Sequence, residues 1–404
     1  MANTILTPTM VTRKALAILH NKLTFLRTIN RQYDSQFGAS GGKIGTTLKI
    51  RKPNQFTVRE GLVMTAQDVT EESQDLVVST VRGVDVNFDS TELALSLDDF
   101  AMRILEPAMA RLAAEVEKYV LANVYKDIYN FSGTAATTPA SLAAILNAGV
   151  KISQGLAPDR ANRHLLVDSV AMASLVGALS TLFHKASDVE RAFAEGYYGQ
   201  AAGFKWWESE LVPRHTNGTR TGGAPVVNTS TGLTSGDATI TITGATAGQT
   251  LEAGDVFTIA DVYAVNPETK TQYDHLQQFV VTANVTSPGA VEVSPTPVTS
   301  GAKQNVLLVS AGAGKTVTFT GAGSSGAASS VLTQHLAYHR DAFTFVTADL
   351  EVPKGVEASR QIYDGISLRY VRDFDIVNSK HPARLDVLFG FKTIRPEWAS
   401  RVRG

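Results

Sequence analysis

Near Thr216 the sequence changes character, and no other feature restricts the fold so strongly. From 216 to 333 it is rich in Gly, Ser, Thr, Ala and Val and very poor in charge. The stretches "ATITIT", "DVFTIADVYAV", "HLQQFVVTANV", "AVEVSP", "NVLLVSA" and "KTVTFTG" follow at regular spacing with turn residues between them. Short β-branched runs punctuated in this way predict a small barrel or sandwich. From His335 a charged, mixed pattern returns in "DAFTFVTADLEV", "ISLRYVRDFDIV" and "ARLDVLFGFKTI", which read as long strands. Sequence of α/β type on both sides makes 216–333 an expected insertion, and the fold class α+β.

Ahead of the break, 9–33 reads as an amphipathic helix that Thr9 or Thr12 could cap, with Leu16, Leu19, Leu23 and Leu26 at helical spacing. Between Thr46 and Asp89 the period changes to two. "TLKIRKP", "QFTVREG", "DLVVSTV" and "GVDVNFD" predict strands, with Val84, Val86 and Phe88 set against Asp85, Asn87 and Asp89. The apolar face is thin and isolated hairpins are marginal in water, so this excursion is expected to need a neighbour. Next comes the longest helix, from Pro107 to about Tyr129, after a capping pair at Ser96 and Asp99. Met109, Leu112, Val116, Val120 and Val124 form its apolar stripe, opposite Arg111, Glu115 and Lys118. Residues 139–214 alternate helix and strand: Ser141 can cap one helix, Asp168 or Ser169 another, with "HLLVD" as a buried strand.

At 404 residues there is room for two or three domains. Lys+Arg 37 against Asp+Glu 38 leaves a net charge of -1, which supplies no global field for gripping nucleic acid or an anionic membrane. The absence of cysteine removes disulfides, thiolate metal sites and cysteine nucleophiles. No apolar run approaches a membrane span, and "MANTILTPTMVTRKALAILHNKL" is too polar for a secretory leader. A soluble intracellular product is expected, with the Asn-x-Ser/Thr sites at Asn217, Asn228 and Asn284 unused.

Four stretches imitate catalytic motifs. "AGAGKT" at 311–316 suggests a phosphate loop, but Val309 stands where that loop needs its first glycine, and "VTFTG" follows where it needs a helix. A turn leading into a strand is expected instead. "HRD" at 339–341 copies a kinase catalytic loop, but position 346 is Val346 rather than asparagine. His335 and His339 have the spacing of a helical metal pair without the intervening glutamate, and are expected at a surface or interface. Asp373 and Asp375 are expected on the solvated face of a strand, neutralised by Arg369 and Arg372. No catalytic, cofactor-binding or metal-binding residue is assigned, and the chain is not expected to be an enzyme.

The order of parts resembles the major capsid (coat) proteins of tailed double-stranded-DNA bacteriophages, of the short-tailed-phage type with an inserted immunoglobulin-like or telokin-like domain. "GDVFTIADVYAVNPETKTQYDHLQQFVVT" looks like that insertion and "YHRDAFTFVTADLEVPKG" like the strand leaving it. "ISLRYVRDFDIVNSKHPARLDVLFGFKTIRPE" looks like the usual C-terminus. The resemblance implies an N-terminal arm at 1–45 and an extended loop at 46–90 lying over a neighbouring subunit. It implies a peripheral domain with a spine helix at 91–138 and 356–404, an axial domain at 139–215 and 334–355, and the insertion at 216–333. Arg51, Lys52, Arg59 and Glu60 are the expected intersubunit contacts. The implied function is self-assembly into the pentamers and hexamers of an icosahedral virion capsid, with no cofactor and no membrane. The implied partners are other copies of the chain, scaffolding and portal proteins, and enclosed double-stranded DNA touched only weakly and non-specifically. Assembly would take place in the cytoplasm of a bacterial host. The alternative is a phage decoration or adhesion protein whose β-rich domain binds carbohydrate or a host surface.

Overall fold

The computed structural model describes residues 7–31, 46–59, 61–64, 66–68, 71–89, 101–134, 137–179, 200–219, 223–228, 230, 232–287, 289–309, 313–320, 331–377 and 380–403. The chain forms two compact units. The first comprises Met1–Lys52, Glu72–Val120 and Phe343–Ile394; the second comprises Pro53–Glu71, Leu121–Ala342 and Arg395–Gly404.

In the first unit, helix α1 (Pro8–Lys22) starts with proline at its first position, where no N–H is needed. Thr7 is the cap residue, and the Thr12 hydroxyl donates to the Pro8 carbonyl at 2.6 Å. Leu16, Leu19, Leu23 and Leu26 are all buried, as their spacing predicts. The helix does not run on to 33. It stops at Lys22, and a separate turn α2 (Phe25–Thr28) follows, because the Thr24 and Leu26 amides are diverted to the Glu117 carboxylate. Helix α3 (Glu106–Val124) has Pro107 as its second residue and buries Met109, Leu112, Val116, Val120 and Val124. It ends in a tighter turn at Tyr125–Asp127. Ser96 and Asp99 lie outside the described residues.

The strand Lys380–Thr393 organises the sheet of this unit. It pairs antiparallel with Thr80–Asp89, Ile366–Arg372 and Phe343–Ala348, and Glu357–Tyr363 joins through Ile366–Arg372. Gly83 faces Asp386, whose buried carboxylate accepts from Arg369 at 2.6 Å and Arg384 at 2.9 Å. A Cβ at 83 would collide with that carboxylate and stand 2.8 Å from the Leu385 carbonyl. Arg369 therefore neutralises Asp386, and Arg372 pairs with Glu357, rather than either serving Asp373 or Asp375. Those two aspartates follow the end of the strand at Arg372 and do not share a strand face. The cross-strand carboxylates are nearer partners than residues further along the same chain.

The paired strands at the start and end of the stretch 46–78 are better buried than their thin apolar face suggests, whereas the residues between them are mostly exposed. Thr46–Arg51 pairs with Ser73–Val78, and Ile50, Leu76 and Val78 pack on Val346, Ala348, Leu388 and Ile394. The described residues of "QFTVREG" are not a strand: beyond Pro53, among the described residues, no second strand lies beside them to take their hydrogen bonds. Two strands late in the chain pair in different units. Phe343–Ala348 pairs with Lys380–Thr393 in the first unit, and Ala399–Val402 with His335–His339 in the second.

The second unit contains a sheet in the order Phe131–Ser132, Ala399–Val402, His335–His339, Arg163–Val167, Phe204–Glu208, Gln200–Ala201. Helices α4 (Leu142–Gln154) and α5 (Ser169–Leu179) pack on it through Ile145, Ala148, Ile152, Met172 and Leu175. The Asp168 carboxylate caps α5 by accepting from the Ala171 N–H at 2.8 Å. His335 and His339 are not surface residues. Both are buried in a strand bonded on each side, where four residues span about 13 Å, too far to share a metal ion.

Strands from Gly223 to Thr320 form the remaining body of this unit. Hydrogen bonds join Gly223–Val227, Thr239–Ala245, Gly289–Ser294, Gln272–Val281, Val256–Val265 and Val317–Thr320 in succession. The residues "AGKT" close the ring: Gly314 N–H donates to Val227 O, and Val227 N–H to Lys315 O, both at 2.9 Å. The result is a barrel filled by Ile240, Ile242, Phe257, Phe279, Val281 and Val291 among others. Its two ends are drawn together where Arg214–Thr216 pairs with Val331–Thr333.

Candidate assembly segment and its anchors

At the base of the tip between Thr46–Arg51 and Ser73–Val78, the Lys52 N–H donates to the Glu72 carbonyl at 2.8 Å. Further out, side chains set the shape. The Gln67 amide accepts from the Thr57 N–H at 2.9 Å and donates to the Thr57 carbonyl at 2.6 Å. The Arg59 guanidinium folds onto the carbonyls of Gly61 and Val63, the latter at 3.1 Å. Gly61, at φ +85°, supplies the left-handed turn that brings those carbonyls round.

What this scaffold presents is apolar. Phe56 is 57% exposed, Val58 96%, Leu62 99%, Val63 82% and Met64 80%. Five bulky apolar side chains in so short a stretch mark an interaction surface rather than scattered surface residues. Arg51 closes its strand exposed to solvent and Lys52 stands half-buried beside it. Arg59 is engaged within the tip, and Glu60 lies outside the described residues. Beside the charged residues expected there, the tip thus carries an apolar run. Its signal lies in the sequence: "GLVM" has no helical spacing, and among the described residues it has no strand partner.

Two buried anchors hold the rest. In the first unit, Glu117 Oε1 accepts from the N–H groups of Thr24 at 2.7 Å and Leu26 at 3.0 Å. Burial pushes its carboxyl up to about 7, against the lowering effect of those amides. Asp364 accepts from Arg31 at 2.5 Å and bonds His20 at 2.8 Å, tying the last turn of α1 and Arg31 to one carboxylate.

In the second unit, Tyr125, His215 and Asp255 form a chain. The Tyr125 hydroxyl lies 3.1 Å from His215 Nδ1, and His215 Nε2 lies 2.9 Å from Asp255 Oδ1. Burial lowers the His215 pKa despite the carboxylate beside it, and raises that of Tyr125. A neutral imidazole therefore donates from Nε2 and accepts from the tyrosine at Nδ1. Asp255 also accepts from the Glu252 N–H at 3.0 Å. Arg401 donates at 2.6 Å to both Gly254 O and Ile128 O and lies over the Tyr125 ring; burial draws its pKa down to about 10. All four side chains are buried, so the cluster fastens elements together and offers no open face to a substrate. A second fastening joins the barrel to Phe131, whose N–H donates to the Gln278 side-chain carbonyl at 2.8 Å and whose carbonyl accepts from its amide at 3.1 Å.

The lysine of "AGAGKT" is bonded to its own module: Lys315 Nζ lies 2.5 Å from Asp261 Oδ2. Among the described residues no group of three or more His, Asp or Glu could hold a metal ion, and no helix is long and apolar enough to cross a membrane.

The sequence matches the family of the P22 coat protein (gene protein 5) over residues 3–401. No curated protein is significantly similar to it in sequence. Similar solved structures include one from Mycobacterium phage Che8, at TM-score 0.47 and 12% identity, covering 94% of this chain and 90% of that one. Another, from Gordonia phage Cozz, has a TM-score of 0.42 and 11% identity over 94% and 86%. The capsid of Myoviridae phage XM1 has a TM-score of 0.36 and 10% identity over 95% and 92%. With the family profile spanning almost its whole length, the chain belongs to the P22 coat protein family: it is a major capsid protein of the tailed double-stranded-DNA phage type, a structural subunit of an icosahedral shell.

Proposed function

We propose that the shell is built from pentamers and hexamers in which the segment 53–71 of each copy covers a neighbouring copy. The supporting observation is the exposed run Phe56, Val58, Leu62, Val63 and Met64 on a tip with no core of its own. Burying such side chains against a second copy returns about 25 cal/mol for each Å² of apolar surface. Arg51, Lys52 and Glu60 add charge to the same contact. Arg59 acts through shape, by holding the carbonyls of Gly61 and Val63.

In this reading the first unit is the peripheral domain, with α3 as its spine. The sheet, α4 and α5 of the second unit form the axial domain, and the barrel is the inserted domain. Scaffolding and portal proteins are the further partners, and assembly takes place in the cytoplasm of a bacterial host. The enclosed DNA is touched weakly, in keeping with the charge balance. The chain has no catalytic step, in keeping with a Gly-Lys-Thr stretch whose lysine is paired with Asp261.

The test is the double substitution Leu62→Asp with Val63→Asp. Subunits should stay folded by circular dichroism and fail to form closed shells by electron microscopy. Normal shells would overturn the assignment of the tip. Reversing Arg51 and Lys52 to glutamate should lower the temperature at which assembled shells dissociate, and an unchanged temperature removes both from the contact.

A further inference from the structure

We infer that docking of the N-terminal segment onto helix α3 is linked to uptake of a proton at Glu117, so that the segment is held more tightly in mild acid than above neutral pH. Glu117 is 1% exposed, and its carboxylate is in direct contact with the segment. Its Oε1 receives the Thr24 and Leu26 amides, while Phe25, Leu26 and Ile29 are fully buried around it. Lifting the segment would return this carboxyl to water.

The N-terminal segment also carries Arg13, Lys14 and Arg27, and α3 carries Lys118. Lys22 pairs with Glu106, Arg111 with Glu115, and His20 and Arg31 with Asp364. Phe343–Ala348, which bonds to Asn30, carries no charge. None of these groups contributes to the displacement of the Glu117 equilibrium. Burial dominates, opposed by the Leu26, Thr24 and Phe25 amides. The direction follows by linkage. A carboxyl that titrates at about 7 when covered and near its ordinary 4.5 when uncovered takes up a proton on docking. Docking is then fully supported below the lower value and weakens as pH rises through the higher one. Protonation leaves Oε1 free to accept the same two amides, so the neutral acid keeps the contact without a buried charge.

The device suits a segment that must be fixed in the finished subunit yet free to move while copies come together. Hydrogen exchange on the full-length unassembled subunit tests it, reading the peptide that contains 23–29 and correcting for intrinsic exchange rates. From pH 5.5 to 8.5 the protection of that peptide should fall roughly 30-fold, with the strand Lys380–Thr393 as an internal reference. Glu117→Gln keeps the accepting carbonyl and cannot ionise, so its protection should be independent of pH. A wild-type profile that is flat or rises with pH overturns the inference. So does a Glu117→Gln profile with the wild-type slope. If that variant does not fold, the wild-type slope decides alone.

Discussion

Two single residues carry more of this fold than their types suggest. Gly83 lets a strand pass over the doubly paired Asp386 carboxylate, and that carboxylate cannot swing away without leaving Arg369 and Arg384. Gly83→Ala should therefore cost roughly 1–3 kcal/mol, read as a lower denaturant midpoint of the unassembled subunit. Arg401→Met keeps most of the volume and removes the donors to Gly254 O and Ile128 O, leaving two buried carbonyls short of partners. A loss of about 2–4 kcal/mol is expected in the same measurement. Neither residue was legible in the sequence. Gly83 lies in an alternating strand like any other, and its reason stands across the sheet at a position some three hundred residues later. Arg401 belongs to a tail that reads only as mildly basic, and whether an arginine there meets water or carbonyls depends on which strand ends beside it. Lys315 is the opposite case. The missing glycine and the β-branched residues after it were sufficient to predict a turn, and the ion pair with Asp261 was the only surprise.

At the scale of elements, periodicity worked where an element answers to one neighbour. The α3 stripe from Met109 to Val124 and the leucines of the N-terminal segment are buried as their spacing requires. It failed where a distant group competes for the backbone. Nothing between 9 and 33 signals that a glutamate near 117 will take two amides and break the helix. It failed also in the tip, where strand-like composition meets no partner strand among the described residues. The Gln278 clasp is another contact between distant segments, and it makes a prediction of its own. Gln278→Ala removes both hydrogen bonds to Phe131 while leaving the barrel core intact. Exchange should rise in the peptide around 128–132 and stay unchanged in the strand Gly289–Ser294. Equal loosening of both would mean that the clasp holds the barrel together rather than its attachment.

The whole subunit should respond to pH in two opposite ways. Burial draws His164 and His335 down to about 4, below their ordinary 6.5. Histidines held neutral in the folded state contribute stability above pH 6.5 that is lost as pH falls towards 4. The second unit should thus melt earlier in acid, while the N-terminal segment of the first is held more firmly there. Calorimetry of the unassembled subunit between pH 7 and 4.5 should show the falling transition, and His335→Gln should make its slope shallower. Membership of the coat-protein family sets aside the reading as a decoration or adhesion protein, although composition alone had left both standing. The barrel has one more consequence. A protein made in hundreds of identical copies at high local concentration is exposed to runaway strand exchange wherever a sheet ends in open hydrogen-bonding groups. With Gly314 and Lys315 stitched to Val227, the strand Gly223–Val227 has a neighbour on both flanks, and that route to tangled copies is closed there. At that strand copies can recognise one another only by side chains, whose shape and charge differ from place to place, so a wrong pairing has nothing generic to hold it there.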